Sequence, residues 1–216
     1  MRIYSADFVL ISSRYFSLGI VQYARSIHFI QPQAQKLGLI GVPFRKGQGR
    51  QGVELGPKAL RDFGLITSLQ NLGHEVHDYG DLEFEDFKDD PKLHNINNLK
   101  SVSEAGKKIC SSVKKVVDAG EVCITLGGDH SLTTGGIYGH TLSQPNIVIL
   151  WVDAHADINP PAASLTGNMH GMPLSFLVKE VQPYMTRIEA FDWVKPCISA
   201  KDIAYIGLRD VDSAEK

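Results

Sequence analysis

An α/β domain with a mainly parallel sheet is the fold class this sequence predicts, and three observations predict it. Short apolar runs of strand length alternate with longer segments whose apolar residues recur at helical spacing. Glycines and prolines fall between those segments, where chain reversals are needed. Three of the apolar runs end directly in clusters of polar residues. Parallel sheets gather ligands at the carboxyl ends of their strands, so three clusters placed there point to one shared site.

The elements are read in chain order. Up to about Gln31 the chain carries Arg2, Arg14 and Arg25, several serines and aromatics, and a single acid, Asp7. An arginine-rich, serine-bearing, acid-poor start matches a mitochondrial transit peptide; the alternative is an unstructured or alternatively spliced leader on a cytosolic protein. Residues 1–34 are therefore set outside the fold, and the folded domain is expected over 35–216. Lys36–Pro43 is a short apolar run ended by proline, a buried strand. After a glycine- and charge-rich loop, Pro57 sits where a first helical residue belongs, with Gly64 as a possible break and Gly73 as the stop. A weaker strand spans His74–Tyr79, before an acidic loop to Asn98.

Ser101–Ala119 is the clearest helix. Ser101 and Glu104 have capping-box spacing, Val102, Ala105, Ile109, Val113 and Val116 share one face, and Gly120 ends it. Two strong β runs follow, Glu121–Leu126 and Ile147–Val152. A helix is expected from Leu174 through Lys179, and Ile203–Gly207 is a last strand, ending in Arg209-Asp-Val-Asp212.

Bulk properties exclude several functions. The chain has 216 residues, a net charge of -2 and 43% hydrophobic content, which suits one soluble globular domain. Near-neutral charge argues against nucleic acid, which needs a concentrated basic face. No apolar run approaches the ~18 residues of a membrane span. The 3 cysteines, Cys110, Cys123 and Cys197, are scattered and odd in number, as expected of free, buried thiols in a reducing compartment.

Chemistry concentrates in two clusters, Gly127-Gly-Asp-His-Ser131 and Asp153-Ala-His-Ala-Asp157. In extended backbone alternate side chains share a face, so Asp153, His155 and Asp157 converge if the chain stays extended after its strand. One such residue alone is more often a structural hydrogen-bonding group. Three in alternation, joined by His130, make a metal set of carboxylate and imidazole without thiolate, suited to Mn²⁺ or Zn²⁺ and leaning to manganese.

Those two clusters, with Trp151–Asn159 and Gly167-Asn-Met-His-Gly171, resemble successive signatures of the arginases. The resemblance runs from about Leu37 to Lys216 and includes Gly41-Val-Pro-Phe44, Gly52–Pro57 and Lys195-Pro-Cys-Ile198. It implies a three-layer α/β/α fold with a parallel sheet of eight strands, and a homotrimer holding two Mn²⁺ per subunit. The implied reaction hydrolyses L-arginine to L-ornithine and urea, the urea-cycle step. By motif, His130, Asp153 and Asp157 hold one manganese, His155 the other, and Asp153 bridges. The chemistry demands water activated near neutral pH against a resonance-stabilised guanidinium, which divalent cations provide. Asp157 also aims that water, and His170 resembles the proton shuttle to the leaving amine. Asn159 and Asn168 match residues contacting the substrate carboxylate, with Thr166 where serine is usual; Asp212 and Glu215 resemble acids near its ammonium. A carboxylate-reading rim favours arginine over agmatine, the alternative substrate.

The resemblance implies a metal site completed by a later Asp-x-Asp pair, and a glutamate further on that pairs with the guanidinium; neither follows before Lys216. The expectation is a fold incomplete at its C-terminus, with two unpaired strand edges, unstable in isolation and impaired in turnover. The functional alternative is a non-catalytic truncated isoform that associates with full-length subunits. Asp210 and Asp212 have the spacing of the missing pair, but their surroundings resemble the substrate loop.

Overall fold

The leader region holds the first departure from this order. The computed structural model describes residues 8–12 and 33–216, and Phe8–Ser12 forms strand β1. It pairs antiparallel with Val148–Val152, Phe8 opposite Val152 and Ser12 opposite Val148. Phe-Val-Leu-Ile-Ser is a strand-forming run, and a sheet edge offers it unpaired N–H and C=O groups. Composition, averaged over the whole leader, hid this local run. The pairing brings residues 8–12 into the fold, whereas most of the stretch read as a transit peptide lies outside the described residues.

Lys36–Val42 is β2, Glu75–Asp81 is β3 and Val122–Gly127 is β4; the three form a parallel sheet in the order β3-β2-β4. Every residue of β2 after Lys36 is buried, as a central parallel strand requires. Helix α1, Gly56–Asp62, has Pro57 in its first turn, and Gly64 at φ 93° separates it from α2, Leu65–Asn71. Gly73, at φ 90°, turns the chain into β3.

The long helix α3 spans Leu99–Asp118, and the expected face of Val102, Ala105, Ile109, Val113 and Val116 is buried. Its start differs from the capping-box expectation. The Asp90 carboxylate accepts N–H from Lys100 at 3.0 Å and Ser101 at 2.7 Å, so a loop acid ten residues upstream takes the capping role. Ser101 is inside the helix, its hydroxyl accepting from Lys46 Nζ at 3.2 Å.

Helix α4, Leu132–Ser143, was not visible in the sequence pattern, because Gly135, Gly136 and Gly139 depress helix propensity and leave no apolar stripe. Two of these glycines are packing devices. A Cβ on Gly135 falls well inside contact distance of the Gly106 carbonyl, and one on Gly139 does the same at Cys110. The bare glycine faces let α4 lie directly on the backbone of α3.

Val148–Val152 is β5 and Ile203–Ile206 is β6, parallel to it, giving a second sheet in the order β1-β5-β6. Between them the expected helix at Leu174–Lys179 is replaced by 3-10 turns, Pro173–Phe176 and Lys179–Tyr184. Pro183 lacks an N–H and crowds the Lys179 carbonyl, so no helix continues beyond this segment, and Leu174, Leu177 and Val178 are fully buried regardless. The α/β class holds, with two three-stranded sheets among the described residues where the resemblance implied one of eight. One core serves both: Ile40 and Val42 from β2 join Ile149 and Trp151 from β5 and the inner face of α3. Of the two open edges expected, β5 is covered by β1; β4 has no strand on its second side among the described residues.

Candidate metal centre

The carboxyl ends of β4 and β5 are not hydrogen-bonded to each other, yet their side chains meet. His130, three residues past β4, places Nδ1 3.2 Å from Asp153 Oδ2 and 2.9 Å from Asp157 Oδ2. Ligands bonded at about 2.1 Å to one cation at right angles stand about 3 Å apart, so these separations fit a divalent ion. One ligand atom from each of the three residues lies within 4.8 Å of the others. Both carboxylates are buried, so the cluster is a desolvated group that could hold a cation, unlike a solvated acidic face.

Convergence arises differently from the extended-backbone expectation. The chain bends after Val152, and Asp157 has φ 51°, a left-handed conformation that costs a non-glycine residue about 1 kcal/mol. That turn brings Asp157 back toward His130. The loop is braced around it: Tyr205 donates its hydroxyl to the Ala156 carbonyl at 3.1 Å, and the Arg209 and Asp210 N–H groups reach Ala154 O at 2.9 and 3.0 Å. Leu174 N–H takes the Asp157 carbonyl at 3.0 Å.

His155 is not drawn into the buried cluster. Its side chain is 56% exposed, with Nδ1 3.4 Å from Asp153 Oδ1 and Nε2 3.8 Å from Asp210 Oδ2. Asp210 thus approaches the ring nitrogen opposite the one facing Asp153, which fits an outer partner of His155 better than a ligand sharing its ion. Asp212 is turned elsewhere, accepting from Asn159 Nδ2 at 2.8 Å.

Electrostatics follow the geometry. Burial alone lowers the His130 pKa, but the Asp153 and Asp157 carboxylates outweigh it and raise it to about 9. Burial also opposes ionisation of Asp153, and its hydrogen bonds from His130 and the His155 N–H prevail, holding it well below the usual carboxylate range. The His130 ring stacks on Trp151 with centroids 4.7 Å apart, and its Nε2 is buried without a partner among the described residues. His170 stands at the rim with its pKa lowered, first because neighbouring protein withholds solvent, against the opposing pull of Asp129 and Asp157.

The remaining rim residues form two groups. Asn159 is buried and its Oδ1 has no partner among the described residues, while Asp212 and Glu215 cap a final 3-10 turn. Glu215 braces this loop: its two oxygens accept N–H from Ile158 and Asp212, each at 3.0 Å. In the second group the Thr166 hydroxyl accepts the Asn168 N–H at 3.2 Å, and Asn97 Nδ2 donates to Asn168 Oδ1 at 2.9 Å and Thr166 O at 3.1 Å. Sequence reasoning missed Asn97 and Asn95, whose amide clasps the Pro161 and Ser164 carbonyls. The asparagine-rich run at 95–98, with its positive-φ residues, was the available signal. It missed Asp129 as well, although that acid lies inside a quoted motif.

Comparison with known proteins bears on the family and the fold. Residues 35–216 match the family described as Arginase family. Arginase-1 of Xenopus laevis is 50% identical over 183 residues, 85% of this chain and 58% of that protein. The hepatic arginase of Aquarana catesbeiana is 50% identical over 181 residues, 84% of this chain and 56% of its own length. Among solved structures, Entamoeba histolytica arginase in complex with L-ornithine superposes with TM-score 0.71 at 31% identity, covering 85% of this chain and 61% of that one. Bacillus caldovelox arginase gives TM-score 0.70 at 33% identity, covering 84% and 60%. The chain therefore spans less than two thirds of the relatives it matches.

Proposed function

The chain belongs to the arginase family, and from that premise we propose that its site takes manganese and L-arginine and releases L-ornithine and urea. The observation that carries this reading is the convergence of His130 Nδ1 with Asp153 and Asp157, at 3.2 and 2.9 Å, on the ends of two strands. His130, Asp153 and Asp157 would hold one Mn²⁺, with Asp153 and His155 facing a second. Bound divalent manganese supplies a water made acidic enough to attack near neutral pH.

The chain's own residues supply the rest. Asp157, fixed by its left-handed backbone and the Leu174 N–H, accepts a hydrogen bond from the attacking water and aims it at the guanidinium carbon. His170, whose lowered pKa keeps it largely neutral at pH 7, takes up a proton from solvent at its free ring nitrogen and passes it to the leaving amine. Thr166 and Asn168, fixed by Asn97, offer polar groups for the substrate carboxylate. Asp212, held by Asn159, faces the ammonium, and Glu215 acts by bracing that loop. An α-carboxylate-reading rim favours arginine over agmatine, which has none.

One observation favours a narrower second reading, metal binding without turnover. His155 is half open, and Asp153 is its only buried carboxylate partner among the described residues, so the second cation position is less fully built than the first. Urea release separates the readings. The purified chain, loaded with Mn²⁺, is expected to release urea from L-arginine and not from agmatine, at the impaired rate that its half-built second cation position implies. Folded, manganese-binding protein that releases none from either would sink the hydrolase reading and leave the second.

A further inference from the structure

Asp129 sits beside the metal cluster without joining it. The residue is 4% exposed, and its carboxylate is satisfied by two backbone donors from different parts of the chain. Oδ2 accepts the Gly47 N–H at 2.8 Å, and Oδ1 accepts the Ser131 N–H at 2.9 Å, at the entrance to α4. The Asp129 N–H returns to the Phe44 carbonyl at 2.8 Å, so the 44–47 loop is tied to the end of β4 from both sides. Gly47 then passes the constraint on: its carbonyl accepts the His170 N–H at 3.1 Å. No larger residue fits at 47, because a Cβ there would collide with the Ser131 and Asp129 side chains.

The His170 ring, by contrast, is exposed and makes no hydrogen bond to the described residues. With no partner of its own, the ring samples its side-chain rotamers about a point that the backbone fixes, so the backbone sets its reach. We propose that Asp129 is a positioning residue for His170, acting through the Gly47 peptide, so that the imidazole and the His130 cluster are held in one frame. The chain of contacts supports this on geometry: one buried carboxylate fixes the segment carrying His130, the loop carrying Gly47 and, through it, the turn carrying His170. A carboxylate suits the task because both its oxygens accept, whereas an amide side chain offers one acceptor and would turn a donor toward the other N–H. The inference rests on the reading of His170 as the proton carrier.

The test uses the metal-free full chain and needs no turnover, so its failure and that of the hydrolase reading are distinguishable. Asp129→Asn and Gly47→Ala are compared with the wild type by residue-resolved amide exchange and by the His170 ring resonances. The expected result is exchange at the Gly47 and His170 amides faster by at least about tenfold, with a shifted His170 ring signal, while amides of β2 and the centre of α3 keep their protection. Gly47→Ala keeps the Asp129 carboxylate chemically intact while its methyl forces the loop at 47 off that carboxylate, and it does not alter the His130 side chain, so it decides the matter if Asp129→Asn fails to fold. Unchanged His170 amide and ring signals in Gly47→Ala would overturn the proposal. So would a uniform loss of protection across the chain in that variant, which would make the contact a general structural one.

Discussion

At the end of β4, His130 keeps 15% of its side chain exposed and faces carboxylate oxygens at 2.9 and 3.2 Å; after β5, His155 keeps 56% exposed and faces them at 3.4 and 3.8 Å. The support behind each differs in kind. His130 lies on the stacked face of Trp151 and just before α4, a helix seated on α3 through bare glycine. His155 lies in a bent loop held by single hydrogen bonds from Tyr205, Arg209 and Asp210. Ligand identity is thus a weaker guide to a metal site than the rigidity and desolvation behind each ligand.

The sharpest way to break this comparison is metal titration. His130→Ala or Asp157→Ala is expected to weaken the tightest Mn²⁺ site by at least about 100-fold, beyond the loss typical of an outer partner. His155→Ala should weaken that site by less than about tenfold, affecting mainly a second, looser equivalent. Isothermal titration or manganese electron paramagnetic resonance reads both. Equal losses at the tight site would show that the two histidines serve one ion set and that the contrast is false.

The helix support gives the next largest effect. Gly139→Ala pushes a methyl into the Cys110 backbone and should cost about 1–3 kcal/mol by chemical denaturation. Gly136→Ala, on the same helix with open space at its Cβ, should be neutral or stabilising by up to about 1 kcal/mol. If both behave alike, α4 does not depend on close approach to α3.

Below that lies the cap of α3. Asp90→Ala removes the acceptor for two helix N–H groups and is expected to cost about 1 kcal/mol. Burial alone would raise the Asp90 pKa, but the Ser101 and Lys100 donors prevail and hold it below its usual 3.8. A depressed folded-state value means the stabilisation is fully present above the unfolded pKa and is lost as pH falls through the folded one. The wild-type advantage should therefore persist at pH 7 and 5 and shrink only below about pH 4. An advantage that vanished between pH 7 and 5 would show that Asp90 is not the cap.

What was legible in the sequence follows a physical division. Strand β2 and the inner face of α3 were readable because burial imposes a periodicity on neighbouring residues. His130, Asp153 and Asp157 were readable because each follows an apolar run at a strand end. Helix α4 was hidden because its glycines serve a partner helix, a fact about α3 rather than about residues 132–143. Asp90, Asn97 and Asp129 were missed for the same reason, since their partners lie 10, 71 and 82 positions away. The conformation of Asp157 was also beyond local reading: aspartate tolerates a positive φ, but only the fold selects it.

The smallest effect probes the weaker side of the comparison directly. Tyr205→Phe keeps the ring between β6 and the ligand loop and removes only the hydroxyl that donates to Ala156 O at 3.1 Å. A single neutral hydrogen bond contributes about 0.5–1.5 kcal/mol net, so global stability should fall by no more than that. If the loop after β5 depends on such single contacts, the loss concentrates there. Manganese affinity should then drop by about three- to tenfold, the same free energy expressed as binding, with the larger share at the position facing His155. A loop as rigid as the His130 side would shed the hydroxyl with no change in affinity at either position. That outcome would place the difference between the two histidines in solvent exposure alone, and remove bracing from its explanation.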